Sequence, residues 1–162
     1  MNKIPIVIDI EASGFGKDSY PIEVGFVTDA GMMWCTLIKP ESNWLHWDCH
    51  AAELHQISRD ILFKHGNSAD SVATQLNNHL KNAIVYTDAW FHDYVWMARL
   101  YDVANQFPTF QLKDLRQILT PEQEAIWDNT KQQVLNELQL SRHRASTDAR
   151  VLQLTWLRTL PT

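Results

Sequence analysis

The sequence predicts an α/β fold, with mixed α+β as the alternative, in which a central mixed five-stranded sheet, whose first three strands form a meander, is flanked by helices. Three observations predict it: an apolar β-branched run near the N-terminus, two more strand-like runs joined by a turn signal, and a second half that alternates helical and strand-like patterns. The 162 residues, 45% of them apolar, suffice for one domain with a sizeable core. We therefore expect a single domain over residues 1–162.

The first three strands are predicted before Pro40. Ile4–Ile10 is almost continuously apolar, which is typical of a central strand buried on both faces. Ile22–Thr28 and Met32–Ile38 flank residues 29–31, whose sequence Asp-Ala-Gly indicates a hairpin.

Helices dominate the predicted second half, after a Trp-rich loop. Ser58 and Ser68 are typical helix N-caps, Gly66 is a typical stop, and Pro121 suits a first helical position. The predicted elements are helices over Arg59–His65 and from Ser68 to Leu80, a strand over Ala83–Tyr86, a helix over Phe91–Val103, a strand over Phe107–Leu112, and helices over Asp114–Leu119, from Pro121 to about Leu140, and over Ala145–Leu160.

Composition excludes some classes of function. The formal net charge of −5 argues against a protein that coats nucleic acid by charge alone, but not against an enzyme whose bound cations neutralise its acids. Two cysteines, Cys35 and Cys49, form no C-x-x-C motif and are too few for a disulfide scaffold. Because no signal-peptide pattern or membrane-length apolar run is seen, we expect a cytoplasmic protein without a membrane partner.

Asp9 and Glu11 form the first candidate metal motif. Alternate residues of a strand face the same side, so these two carboxylates would lie together at the end of an apolar strand. Buried unpaired carboxylates are costly and repel each other, and a hard divalent cation such as Mg²⁺ or Mn²⁺ solves both problems. The alternative is a strand that has simply reached solvent.

His143 and Asp148 form the second motif, at the start of the last predicted helix. Both can face one site only if His143 lies in the loop before that helix. Asp148 would then be a metal ligand and His143 a general base. The alternative is a surface histidine and an acid that the helix dipole favours.

Together these motifs resemble those of the DEDDh group of 3′–5′ exonucleases, the DnaQ-like branch of the ribonuclease H-like fold. Residues 9–15 (Asp-Ile-Glu-Ala-Ser-Gly-Phe) are similar to the family's Asp-x-Glu-Thr-Thr-Gly-Leu, and residues 54–58 (Leu-His-Gln-Ile-Ser) to its Val-His-Gly-Ile-Thr. The most specific part is His-x-Ala-x-x-Asp over residues 143–148. The sibling DEDDy group has Tyr four residues before the last Asp, where this chain has Arg144.

The middle acid departs from the family's Asn-x-x-Phe-Asp pattern, because residues 87–93 read Thr-Asp-Ala-Trp-Phe-His-Asp. We predict Asp93 as the metal ligand, since apolar residues follow it on one helical face at Trp96, Met97 and Leu100. Asp88 remains the alternative ligand and is otherwise predicted to bind substrate.

The resemblance implies two divalent cations, Mg²⁺ or Mn²⁺, and release of 5′-nucleoside monophosphates from the 3′ ends of single-stranded RNA or DNA. One cation would be held by Asp9, Glu11 and Asp148, beside His143 as general base, and the other by Asp9 and, through water, Asp93. It also implies that substrate is bound at Ser13, Gly14, Phe15 and Asp88, with Phe15 stacking on a base. Weaker stacking candidates are Trp44, Trp47 and Trp90.

Several alternatives stay open. The chain could be the exonuclease subunit of a polymerase or repair assembly, although nothing past Thr162 would tether it, or a non-catalytic nucleic-acid-binding module. Residues 46–50 (His-Trp-Asp-Cys-His) are a zinc-site candidate, with a polar loop as the favoured interpretation. RNA or DNA as substrate, and a homodimeric state, are also left open.

Overall fold

A computed structural model describes residues 3–140 and 143–161. Its strands are β1 (Ile6–Ala12), β2 (Pro21–Val27), β3 (Met33–Leu37), β4 (Ile84–Thr87) and β5 (Gln111–Asp114). Its helices are α1 (Cys49–His55), α2 (Arg59–His65), α3 (Ala69–His79), α4 (Trp90–Ala104), α5 (Pro121–Leu138) and α6 (Ala145–Arg158), with a 3₁₀ turn over Leu115–Ile118.

The five strands form one mixed sheet in the order β3-β2-β1-β4-β5. β1, β2 and β3 pair antiparallel, which confirms the predicted meander, and β4 and β5 lie parallel to β1. β1 is therefore the central strand. The carboxyl ends of β1 and β4 lie at the same edge of the sheet, where polar groups from both can meet.

The two faces of the sheet carry different helices. Alternate residues of β1 and β2 face a large core that also contains residues of α3 and α4: Ile8, Ile10, Val24, Phe26, Leu76 and Leu100. The opposite face packs on α6, in a smaller core that contains Val7, Val27, Leu152 and Trp156. Burial on both faces explains why β2 is buried throughout.

Several helices begin where the sequence predicts. The hydroxyl of Ser58 accepts a hydrogen bond from the Ile61 amide (3.2 Å), and Ser68 caps α3 in the same way. Thr120 and Gln123 form a reciprocal capping box ahead of α5, with Pro121 at its first position. These caps satisfy amides that would otherwise lack partners, which is why the boundaries are readable from sequence.

Three elements differ from prediction. β1 continues to Ala12, because Glu11 still pairs with Glu23 of β2, so Glu11 lies within the strand as Asp9 does and not past an end at Ile10. Residues 49–55 form a helix, capped by Asp48, where a loop was predicted. The sequence did not indicate this helix because its apolar pattern is too short to recognise. The last strand is shifted to Gln111–Asp114 by its pairing with β4.

Gln153 joins the two ends of the described chain. It is fully buried in α6, and its side-chain amide donates to the carbonyl oxygens of Pro5 and Thr28, both at 2.8 Å. The last helix is thus bonded to the backbone at the entry of β1 and the exit of β2. Within the described residues, no helix is long and apolar enough to cross a membrane.

Gly25 allows β2 and α6 to approach closely. A Cβ atom at this position would lie 2.8 Å from the carbonyl carbon of Ala145 and closer still to the nitrogen of Ser146. Both atoms belong to the backbone and cannot turn aside. Any side chain here would therefore displace the first turn of α6.

We expect Gly25→Ala to lower the free energy of unfolding by about 1–3 kcal/mol or more, as overpacking of a tight core does. Urea unfolding followed by circular dichroism measures the change. Ser42→Thr also adds one methyl group, but at an exposed turn, and should leave the urea midpoint of unfolding unchanged. Equal midpoints for Gly25→Ala and the wild type would contradict the close packing.

Candidate functional site

Asp9 and Glu11 lie side by side on the face of β1 that packs on α6. Asp9 pairs in register with Gly25 and Glu11 with Glu23. The missing side chain at Gly25 lets the first turn of α6 reach the sheet next to Asp9. Both carboxylates are partly buried, so the structure places them inside the cleft and not in open solvent.

A buried ion pair fixes the start of α6. Glu23 is fully buried and accepts two hydrogen bonds from the Arg144 Nε atom, at 2.8 and 3.0 Å, and another from its Nη2 atom. The Ala145 amide also donates to Glu23, at 3.1 Å. This ion pair holds His143, the residue before Arg144, at the cleft. The His143 amide also donates a hydrogen bond to the Leu54 carbonyl (3.2 Å).

His143, Asp148 and Glu11 converge at this point. His143 lies in the loop before α6, as the sequence predicts, and its Nδ1 atom is 2.9 Å from Asp148 Oδ2. Ligand atoms of these three residues all lie within 4.8 Å of one another, the one such group found within the described ranges. A divalent cation fits this set of two carboxylates and one imidazole.

The two candidates for the middle acid have different surroundings. Asp93, in the first turn of α4, is 1% exposed and accepts a hydrogen bond from the Thr87 hydroxyl. Asp88 is more exposed, and its Oδ2 atom lies 2.9 Å from the Lys131 ammonium. Asp93 thus has no cationic side chain as a partner in the described structure, whereas Asp88 has one.

The acids strongly perturb one another. Burial, and then the charge of Asp93, raise the pKa of Asp9 well above its ordinary range. Burial and the neighbouring Asp148 raise the pKa of Glu11 to about 8. Burial raises the pKa of Asp93 to about 7, against the opposing hydrogen bond from Thr87. The cleft therefore holds carboxylates that need bound cations to ionise fully at neutral pH.

Two adjacent cavities meet at β1. One, of about 260 Å³, lies between β1, α5 and α6, and its polar lining includes Asp88, Lys131 and Asp148. The other, of about 280 Å³, lies between β1, α1 and α4, and Asp93 is in its lining. Asp9, Glu11 and His143 line both cavities. Both acids of β1 are thus shared by the two cavities.

Aromatic side chains border the second cavity. Phe15 is 68% exposed and lies edge-on to the His92 ring, with centroids 4.9 Å apart. Trp96 lies behind them, 6.0 Å from Phe15. The face of an exposed ring at a cavity mouth is a surface on which a base can stack. Of the other stacking candidates, Trp44 is buried against Tyr20, and neither Trp47 nor Trp90 lines either cavity.

The substrate-binding role expected of Ser13 and Gly14, the residues before Phe15, stays a prediction, and the two residues have different surroundings. The Ser13 hydroxyl is buried, bonded to His46 Nδ1 (2.9 Å) and to the Tyr20 amide (3.1 Å), so it points away from the cavity. Gly14 lines the cavity, at φ +141°. A Cβ atom there would meet Asp48 and His46 at 2.6 and 2.8 Å, so only glycine fits.

His55 is a cavity residue that the sequence analysis did not single out. It is buried at the end of α1, and its Nδ1 atom accepts from the Ile57 amide (3.1 Å). Its Nε2 atom has no hydrogen-bond partner among the described residues, although it lies in the wall of the second cavity. Its place within residues 54–58, which match a family segment, was the available signal.

The zinc-site candidate at residues 46–50 is divided among structural contacts. His46 bonds to Ser13, and Asp48 caps α1 by accepting from the His50 amide (2.9 Å). Cys49 and His50 are exposed on the first turn of α1. Over residues 3–140 and 143–161, these side chains do not gather around a common point.

Solved structures with the same fold include exonuclease I proteins. Escherichia coli exonuclease I in complex with a 5cy-dA13 oligonucleotide is 12% identical over 95% of this chain and 40% of that chain, with a TM-score of 0.65. Its complex with a dT13 oligonucleotide is 14% identical over 68% and 27%, with a TM-score of 0.57. Exonuclease I from Methylocaldum szegediense is 12% identical over 68% and 27%, with a TM-score of 0.56.

These likenesses confirm the predicted α/β, ribonuclease H-like fold with its mixed five-stranded sheet. The chain spans 27–40% of the length of these proteins, and the identities are too low to carry residue roles across. No family model matches this sequence. No curated protein matches it either.

The raised pKa values predict a pH-dependent stability of the metal-free protein. Glu11 and Asp93 titrate near their ordinary values of 4.5 and 3.8 when unfolded, but at about 8 and about 7 when folded. The free energy of unfolding should therefore fall from about pH 4–5 up to about pH 8. Urea unfolding in EDTA at several pH values measures the slope.

Glu11→Gln should flatten this slope, and adding Mg²⁺ should raise stability most at pH 8. Asp18→Asn, at an exposed loop, is the matched control and should keep the wild-type slope. A metal-free wild type whose stability does not fall between pH 5 and pH 8 would contradict the electrostatic description.

Proposed function

We propose that this protein is a metal-dependent 3′–5′ exonuclease that hydrolyses single-stranded nucleic acid and releases 5′-nucleoside monophosphates. The observation that carries the proposal is the convergence of Glu11, His143 and Asp148 within 4.8 Å, beside Asp9, in a fold shared with exonuclease I. Neither the acid cluster nor the fold would suffice alone, because ribonuclease H-like folds support several chemistries.

The acids would hold two divalent cations, Mg²⁺ or Mn²⁺. Asp9, Glu11 and Asp148 would bind one, and Asp9 with Asp93, through water, the other. When bound, such a pair of cations lowers the pKa of the attacking water and stabilises the leaving 3′-oxygen. The division of the cleft into two cavities on either side of Asp9 supports this assignment.

His143 would act as the general base. Asp148 lies 2.9 Å from the His143 Nδ1 atom and orients the ring, which leaves the Nε2 atom to accept a proton from water. The partly exposed position of His143 lets it exchange that proton with solvent. Its place in the loop, held by the Glu23–Arg144 pair, is the reason it can reach the acids.

The second cavity would receive the terminal nucleotide. Its wall combines the exposed Phe15 ring, for stacking, with the buried polar groups of His55 and Asp93. Exonuclease I is described in complex with DNA oligonucleotides, which favours single-stranded DNA as the first substrate to test. RNA is the alternative, since no group that reads a 2′-hydroxyl is identified.

We expect Asp9→Ala and Asp148→Ala to abolish hydrolysis, and His143→Ala to lower kcat by about 10²–10⁴-fold, the usual loss for a general base. The assay incubates protein and Mg²⁺ or Mn²⁺ with 5′-labelled single-stranded DNA or RNA and looks for a ladder that shortens from the 3′ end. EDTA should stop it, and renewed Mg²⁺ should restore it.

His65→Ala, at the exposed end of α2, is the matched control and should retain full activity. Wild-type activity in Asp9→Ala would refute the site assignment. Binding of the oligonucleotide without any digestion would favour the non-catalytic binding module.

We expect Phe15→Ala to raise KM about 5- to 150-fold with little change in kcat, because base stacking on an aromatic ring contributes about 1–3 kcal/mol. Steady-state kinetics on a labelled oligonucleotide measures both constants. Phe107→Ala is the control, since Phe107 is 88% exposed but follows the far end of α4. An equal KM for Phe15→Ala and the wild type would remove Phe15 from the substrate site.

A further inference from the structure

Lys131 brings a positive charge into the acidic cavity between β1, α5 and α6. Within the described residues it is the only lysine or arginine that lines this cavity. Its ammonium lies 2.9 Å from Asp88 Oδ2, and the two side chains are 34% and 30% exposed. The pair is therefore neither buried in the core nor free in solvent.

The ammonium has unused hydrogen-bonding capacity. It carries three N–H donors, and Asp88 accepts from one of them. The hydrogen bonds recorded for residues 3–140 and 143–161 include no second acceptor for Lys131. Two donors thus remain for solvent or for a ligand in the cavity. A phosphate oxygen is a favourable acceptor for such a donor.

Lys131 also acts on the proposed metal ligands. Burial raises the pKa of Asp148, His143 lowers it, and the charge of Lys131 lowers it further. Its direct bond, however, goes to Asp88 and not to Asp9, Glu11 or Asp148. Asp88 thereby holds the ammonium beside the acid cluster without letting it occupy a cation position.

We propose that Lys131 binds a non-bridging phosphate oxygen of the nucleic-acid strand, and that Asp88 is the residue that positions Lys131 and not a third metal ligand. The proposal rests on the proposed function and deepens it. A lysine ammonium acts as a compact point charge for phosphate, and a carboxylate on its far side restricts the flexible side chain.

Charge balance supports this division of roles. Two divalent cations would offset the four carboxylates of Asp9, Glu11, Asp93 and Asp148. Asp88 offsets Lys131, so an arriving phosphodiester meets no net negative charge in the cavity. If Asp88 were a metal ligand instead, its carboxylate would be shared between a cation and the ammonium that it contacts at 2.9 Å, and Lys131 would lose part of its counter-charge.

The test is the salt dependence of binding. A 5′-fluorescein-labelled oligothymidylate is titrated with protein in Ca²⁺ between 50 and 200 mM KCl, and anisotropy gives Kd. For Lys131→Gln we expect about tenfold weaker binding at low salt and a plot of log K against log[salt] that is shallower by about 0.7, the value for one lost phosphate contact on a single strand.

Lys131→Arg should keep most of the wild-type slope of log K against log[salt]. Lys81→Gln changes an exposed lysine that precedes β4, at the end of the strand away from Asp88, and its salt dependence of binding should match that of the wild type. Asp88→Asn should weaken binding when Lys131 is present and have no further effect in the double variant Asp88→Asn/Lys131→Gln. Calorimetric titration of Mn²⁺ should give the same affinity for the double variant Asp88→Asn/Lys131→Gln as for Lys131→Gln, where no ammonium is released to compete with the cation.

The outcomes separate this proposal from the proposed function. If the wild type digests the oligonucleotide but Lys131→Gln keeps the full slope, or Asp88→Asn weakens Mn²⁺ binding in the Lys131→Gln background, the roles of Lys131 and Asp88 are overturned and the exonuclease stands. If the wild type binds without digesting and Lys131→Gln loses slope, the phosphate contact stands and the exonuclease fails. A wild type that neither binds nor digests overturns both.

Discussion

The site depends on one buried ion pair, between Glu23 of β2 and Arg144 at the start of α6. The two residues are 121 positions apart, and Glu23 accepts hydrogen bonds from the Arg144 guanidinium and from the Ala145 amide at the start of α6. Because His143 precedes Arg144 and Asp148 follows it by one helical turn, this pair sets the position of both. Loss of one partner from such a pair leaves an uncompensated buried charge and costs about 3–5 kcal/mol. Its value here is geometric, since it holds His143 and Asp148, the proposed general base and metal ligand, beside Glu11.

The acid cluster destabilises the folded state, and the rest of the fold offsets this destabilisation. Asp9, Glu11 and Asp93 are desolvated together, and the charges of Glu11 and Asp93 raise the pKa of Asp9 further. The hydrophobic cores on both sides of the sheet stabilise β1 enough to keep these groups in place. Charge repulsion of this kind is typical of sites that bind cations, because the energy stored in the empty site is returned when the cations bind.

Much of the fold was predictable because its boundaries are set by local chemistry. Ser58, Ser68 and Thr120 cap their helices through side-chain bonds that the sequence shows directly. α1 was missed because a seven-residue helix has too short a pattern to be recognised, and only its Asp48 cap marks it. For the site, the spacing of Asp9 and Glu11 and the loop position of His143 followed from strand and helix geometry. The bond between Asp88 and Lys131, the burial of the Ser13 hydroxyl and the contribution of His55 depend on contacts between distant segments, which no single-sequence pattern records.

The bonds from Gln153 to the carbonyls of Pro5 and Thr28 have a consequence for how the chain folds. The central strand of the sheet comes near the start of the chain, and the helix that covers it comes near the end. Contacts of such high sequence separation are slow to form, because a long loop must close before they contribute. During synthesis, the carboxylates of β1 therefore stay uncovered until α6 has left the ribosome. A partly made chain has the acids of β1 but not the residues of α6, so the candidate site forms only after both segments have been made.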